Sequence, residues 1–354
     1  MNESVLSFKD KYFGDKNFYK MTLTIAVPII IQNLLTNLVS MADNIMVGQL
    51  GTNQMSGVAI INQLFFVFNL LVFGGMSGAG LFSAQYFGQK NHNGVRDVFR
   101  MKILIGITII AISLSVMIFL HEPLINMFLH EGSSSGNIQE TFNYAKNYLY
   151  IMVIGIAPFV ISNCYSTTLK ESGQTVVPMK AGVLAVVFDI VLNYIFIFGK
   201  LGFPAMGVVG AAIATVISRF VECGYLVIYT HRHSNDYPFI KHCYRTLKVP
   251  GSLVKKIIVT GAPLMLNEFL WAGGLTLQTQ ALSTKGLATV GGLNICNTIG
   301  NISNCIFVTM GTTIAIVVWQ LLGAGKLKEA KVTATRMAAF SLLISFGMII
   351  ILGL

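Results

Sequence analysis

Charged residues are scarce in this sequence. Asp, Glu, Lys and Arg together make up 11% of its 354 residues, whereas soluble domains carry about 25%. With 54% hydrophobic residues, that scarcity excludes an ordinary water-soluble globule. Acids are the rarer sign, 14 against 24 Lys and Arg, for a net charge of +10. Such an excess suits nucleic acid only where the cations form a stripe. Here they are dispersed among loops, and no nucleic-acid partner is expected. Cysteine is sparse too. Cys164, Cys223, Cys243, Cys296 and Cys305 include no Cys-x-x-Cys pair, and all but Cys243 lie in apolar segments, where a free thiol behaves as a small hydrophobe. Neither a disulfide nor a protein-bound metal is expected, and His231, His233 and His242 with Cys243 read as part of a solvated basic loop. The sequence has no His-Glu-x-x-His pair, and the run Gly74-Gly75-Met76-Ser77-Gly78-Ala79-Gly80 lacks the Gly-Lys-Ser/Thr ending of a phosphate loop. No catalytic residue and no cofactor is expected.

What the chain does have is long apolar sequence. A helix needs roughly 20 apolar residues to cross the hydrocarbon core, and we read nine spans, over about 19–46, 57–84, 100–120, 145–167, 178–199, 207–230, 255–283, 289–321 and 336–354. Pro28 and Pro263 are expected to kink theirs. Basic residues give the orientation. With the N-terminus inside, all but four of the 24 Lys and Arg fall on the cytoplasmic side, among them Arg100, Lys102, Lys326, Lys328 and Arg336. Lys146, Lys200 and Lys285 fall outside, and Arg219 lies within a span, where it is expected to pair with Glu222.

Residues 28–100 and 263–335 align without a gap at a constant offset of 235, which pairs Pro28 with Pro263, Gln85 with Gln320 and Gly88 with Gly323. Two copies of one spanning unit are the signature of secondary transporters. The expectation is an all-α integral membrane protein of two parallel-repeat helical lobes, six plus six spans. Residues 1–235 form the first lobe with spans one to six, 236–254 a cytoplasmic linker, and 255–354 a partial second lobe with spans seven to nine. The chain is thus expected to be a fragment of a protein about three spans longer.

Ionisable groups at membrane depth cost about 2.5–3.5 kcal/mol each on insertion scales, so each calls for an explanation. Asp43 lies about 22 Å along the first span from Pro28. Asp189 and Asn193, one helical turn apart, share a face of the fifth span at comparable depth. Two carboxylates and an amide that converge suit a small hard cation or a shared proton; the plain alternative is helix-to-helix hydrogen bonding. Glu268, near mid-bilayer in the seventh span, occupies the repeat position of Asn33 and follows Asn267, with Trp271 one turn on. Two readings stay open for it: attraction of a cationic, partly aromatic substrate, or a protonated carboxyl bonded to Asn297 or Asn301. For Asn163 and Thr215, helix-to-helix hydrogen bonds are the default account.

Several segments together resemble one family. Ala42-Asp43-Asn44-Ile45-Met46-Val47-Gly48-Gln49-Leu50-Gly51, closing the first span, is similar to the first helix of multidrug and toxic compound extrusion (MATE) transporters. So are Gln85-Tyr86-Phe87-Gly88-Gln89, Leu169-Lys170-Glu171-Ser172-Gly173, Asp189-Ile190-Val191-Leu192-Asn193-Tyr194, Gly207-Val208-Val209-Gly210-Ala211 and Pro263-Leu264-Met265-Leu266-Asn267-Glu268-Phe269-Leu270-Trp271 in their places. The resemblance covers essentially the whole chain. It implies twelve helices in two lobes around a V-shaped cleft, in a bacterial cytoplasmic membrane, and a monomer exchanging small organic cations or drugs for Na⁺ or H⁺. Asp43, Asp189 and Asn193 match the family's first-lobe cation site, although some members carry the Asp and Asn of the fifth helix in the opposite order. Asn163 and Thr215 match neighbouring polar positions. Glu268 matches a seventh-helix acid for substrate or cation binding, and Asn267 and Trp271 beside it are expected to share that site. The rival expectations are a lipid-linked saccharide flippase of the same superfamily, which would need a cationic groove, and an inactive truncated membrane fragment.

Overall fold

Inside a bilayer a helix satisfies its own backbone, so each apolar segment folds as a long helix. The computed structural model describes residues 11–129, 137–283 and 287–353, apart from the side chains at 269, 276, 279–299, 302, 349 and 351–353. Its α-helices are α1 Lys16–Gly48, α2 Thr52–Gly88, α3 His92–Phe119, the short α4 His121–Asn126, α5 Ile138–Met152, α6 Ile156–Glu171, α7 Val176–Phe198, α8 Val208–Arg232, α9 Gly251–Ser283, α10 Leu287–Gly323 and α11 Leu327–Gly353. No strand occurs among the described residues. Seven helical stretches there are long and apolar enough to cross a membrane, α5 and α6 counting as one. Large apolar side chains such as Phe119, Leu270 and Phe346 stand on the outer surface, as lipid contact requires. This is an all-α membrane protein. Lys285 lies outside the described residues, as do the side chains of Cys296 and Asn297.

Local chemistry sets the helix ends and interruptions. The Asp15 and Asn91 side chains accept from Phe18 N and Gly94 N, both at 2.9 Å, capping α1 and α3. The fourth predicted span is broken by a 3₁₀ turn at Val153–Gly155. Pro158 follows, and because it has no N–H to offer the carbonyl four residues back, the ladder tightens before it. In α1 the helix instead runs through Pro28. That proline leaves the Thr24 carbonyl without its helical donor, and Thr175 Oγ1 supplies one from the turn before α7 at 3.3 Å.

The largest apolar core lies among α2, α3, α5, α6, α7 and α8, and includes Phe68, Phe99, Leu149, Ile156 and Leu226. Helices α9 and α10 pack on α2, α10 also packs on α1, and α11 lies on α10. At one end of α2 and α10 the repeat is written into the contact. A Cβ built on Gly88 would fall on the Gln320 carbonyl oxygen, and one built on Gly323 would fall on that of Gln85. The same two sequence positions thus grip each other across a local two-fold relation, and only a residue without a side chain fits there.

The segment before α9 is not a loose loop. Arg100 donates to the carbonyls of Cys243 at 2.9 Å and His242 at 3.0 Å, and Tyr237, Phe239, Ile240 and Cys243 are buried against α3. The expectation of a solvated histidine loop is corrected for this part: buried aromatics and one arginine fold it onto the bundle.

Candidate functional site

Helices α7 and α8 form a tight hairpin. Gly199 closes α7 in the left-handed conformation (φ 66°), and at Gly210 a Cβ would lie 2.7 Å from the backbone of Phe196. This close approach, together with the packing of α1 on α7, decides which polar groups meet inside the apolar bundle.

Asp43 on α1 and Asp189 on α7 are joined by one amide. Asn193 Nδ2 donates to Asp43 Oδ1 at 2.7 Å and to Asp189 Oδ2 at 3.2 Å. From α8, Ser218 Oγ donates to Asp189 Oδ1 at 3.2 Å, and Thr215 also faces Asp189. Asp189 and Asn193 are 3% and 0% exposed, whereas Asp43 is half-buried at the edge of the cluster. The Asp43 and Asp189 carboxyls face each other closely enough to interact directly. Two carboxylates at such range repel unless a proton is shared or a cation lies between them. The Asn193 oxygen, buried, has no hydrogen-bond partner among the described residues. An orphaned buried acceptor beside two carboxyl groups and two hydroxyls is a donor set fit for a small oxygen-seeking cation. Among the described residues, no group of three or more His, Cys, Asp or Glu could hold a metal ion.

The other expected residues separate. Asn163 donates to the Phe159 carbonyl of its own helix at 2.9 Å and does not join the cluster by a hydrogen bond. Asn267, Glu268 and Trp271 stand on α9, a helix packed on α2; Trp271 is 49% exposed. Asn33, the repeat mate of Glu268, donates to Thr309 Oγ1 at 3.0 Å, and Asn37 donates to Cys305 Sγ at 2.8 Å. These bonds tie α1 to α10 beside a cleft of about 280 Å³ that Thr36, Asn301 and Asn304 also line.

Two expectations about charge are corrected. Arg219 makes no ion pair with Glu222 in the structure; its guanidinium lies 5.4 Å from the Phe65 ring centre and 5.0 Å from that of Phe159. Aromatic faces hold the cation, with Glu222 and Asp189 acting on it only at longer range. Lys102, counted among loop cations, is fully buried and binds Glu171 at 2.6 Å, with Thr167 and Thr168 accepting from the same ammonium. Ser218 was missed by sequence reasoning. The signal available was its position three residues after Thr215, which puts both on one face of α8.

A family model described as MatE matches residues 28–195 and 263–354. The chain is 31% identical over 278 residues to a probable multidrug resistance protein NorM of Thermotoga maritima, covering 78% of this chain and 57% of that protein. It is 28% identical over 319 residues to a probable multidrug resistance protein NorM of Halalkalibacterium halodurans, covering 88% of this chain and 66% of that one. It therefore spans less than two thirds of the length of either relative. The fold is similar to a solved structure described as "Crystal structure of MATE in the bent conformation", with a TM-score of 0.77 at 22% identity over 94% of this chain and 70% of that one. It is also similar to "Outward-facing conformation of a multidrug resistance MATE family transporter of the MOP superfamily", with a TM-score of 0.76 at 24% identity over 95% and 72% of the two chains.

Proposed function

Because the chain belongs to the MatE family, we propose that it serves as a secondary multidrug efflux antiporter that exports small organic cations in exchange for Na⁺ or H⁺. The observation that carries this reading is the network of Asp43, Asn193, Asp189 and Ser218, built from three helices and buried in an apolar bundle. Asp43 and Asp189 take the coupling ion. Asn193 adjusts to it: a half-turn of its amide would replace the N–H donors by an oxygen ligand. Thr215 and Ser218 complete the oxygen set, and Asn163, which makes no hydrogen bond to the cluster, is the remaining candidate for the ion's path. On α9, Glu268 attracts the cationic group of a drug, Trp271 offers a ring face and Asn267 a hydrogen bond. The protein acts as a monomer in a bacterial cytoplasmic membrane, N-terminus inside.

Exchange follows if ion and drug favour opposite states of the cleft, since a ligand with equal affinity for both states shifts nothing. The test is efflux of a fluorescent organic cation from proteoliposomes under imposed Na⁺ or H⁺ gradients. Asp43→Asn is expected to abolish gradient-driven efflux at unchanged protein level. Unaltered efflux would remove the network from the mechanism.

A further inference from the structure

A second built cavity lies away from the polar network, at the membrane face where the basic residues gather. It is a groove of about 780 Å³ between the start of α1, the end of α10 and the start of α11. Its floor is apolar, formed by Phe18, Met21 and Ile25 from α1 with Val317 and Leu321 from α10. Its rim carries Lys326, Lys328 and Arg336 against a single acid, Glu329, which Lys326 engages at 2.9 Å. Asn17 and Thr333 add uncharged donors.

The internal repeat supplies a comparison within the same molecule. At an offset of 235, Lys326 and Lys328 correspond to Asn91 and Asn93, and Arg336, just past the aligned stretch, falls opposite Met101. Met101 is buried against Leu253 and Ile257, at the foot of the folded linker. The groove between α2, α3 and α9, of about 530 Å³, lies further along those helices and is lined by no charged residue. In the first copy this end of the unit is covered by the linker and the start of α9, whereas in the second it borders a groove rimmed by Lys326, Lys328 and Arg336.

An apolar trough with a cationic rim at the bilayer surface is complementary to a single chemistry, an acyl chain joined to a phosphate. We propose that the groove binds an anionic phospholipid of the leaflet on the basic side, its phosphate on Lys328 and Arg336 and its chain along Met21, Ile25 and Val317. Because α1 forms one wall and α10 with α11 the other, a lipid seated there holds those ends together. It therefore favours the state in which α2 and α10 touch through Gly88 and Gly323, and the anionic lipid content of the membrane sets how easily that end opens. The proposal rests on the membrane reading of the chain and is independent of which ion drives transport.

The test is native mass spectrometry of the purified protein with phosphatidylglycerol and, separately, phosphatidylcholine. Phosphatidylglycerol should be retained in preference, and Lys328→Gln with Arg336→Gln should weaken its retention about thirty-fold. The charge-matched pair Arg245→Gln with Lys248→Gln, on the linker, should leave it unchanged. Equal retention by wild type and the groove variant would overturn the proposal, as would displacement of the lipid by inorganic phosphate or equal binding of phosphatidylcholine. No transport is measured, so failure of antiport and failure of this site are told apart.

Discussion

The contact of Gly88 with Gln320, and of Gly323 with Gln85, should act as a steric switch on the opening of that end of the molecule. Gly323→Ala places a methyl against the Gln85 carbonyl oxygen and 2.7 Å from its Cα. Non-bonded carbons prefer about 3.5–4.0 Å, so α2 and α10 must part by roughly 1 Å. Overpacking of this kind costs about 1–3 kcal/mol. If the cost falls only on the state in which the helices touch, the equilibrium shifts about 5–150-fold toward the state in which they separate. Spin labels at Lys90→Cys and Lys326→Cys, in a background without native cysteine, report the separation by pulsed dipolar spectroscopy. Gly323→Ala and its mate Gly88→Ala should both move the distance distribution to longer values. Gly311→Ala, on the same helix with open space around its Cβ, should not. A Gly323→Ala distribution indistinguishable from wild type and from Gly311→Ala would refute the reasoning.

Lys102→Met leaves Glu171 buried without its cation and should cost roughly 3–5 kcal/mol, whereas Lys102→Met with Glu171→Leu should recover most of that; melting in detergent micelles measures both, and a fully stable single variant contradicts the assignment. Ser218→Ala removes a donor to a buried carboxyl, worth about 1.5–3 kcal/mol. It should weaken the coupling ion's apparent affinity in the proteoliposome assay while Ser218→Thr keeps it, and identical ion dependence in all three proteins would exclude Ser218 from the site.

Helices and polar cluster were legible for a common reason. Hydrocarbon tolerates neither unsatisfied backbone nor unpaired charge, so apolar runs had to be helices, and Asp43, Asp189 and Asn193 had to find one another. Their comparable depths in the first and fifth spans anticipated the Asn193 bridge. Ser218 stayed hidden because a serine in a span can bond its own helix, as Ser218 also does to the Thr215 carbonyl at 2.8 Å. Lys102 was misread because it opens an apolar run and looks like a loop residue until α6 brings Glu171 beside it. Gly88 and Gly323 were visible as repeat landmarks, but the close approach that requires glycine there exists only in three dimensions. The break at Val153–Gly155 could have been read from Pro158, whose missing donor forbids an unbroken ladder.

The grip of Arg100 on the carbonyls at 242 and 243 shortens the leash between the two repeats. Of the polar stretch from His231 to Pro250, the part up to Arg245 is spoken for by caps, 3₁₀ turns and buried rings. Only Thr246 to Pro250 remain outside helix and turn, mostly exposed, with Val249 resting on the apolar cluster of Ala79 and Val98. Five residues can swing but scarcely reach, so the second unit stays moored beside α3 and can rock about that mooring but not drift away from it.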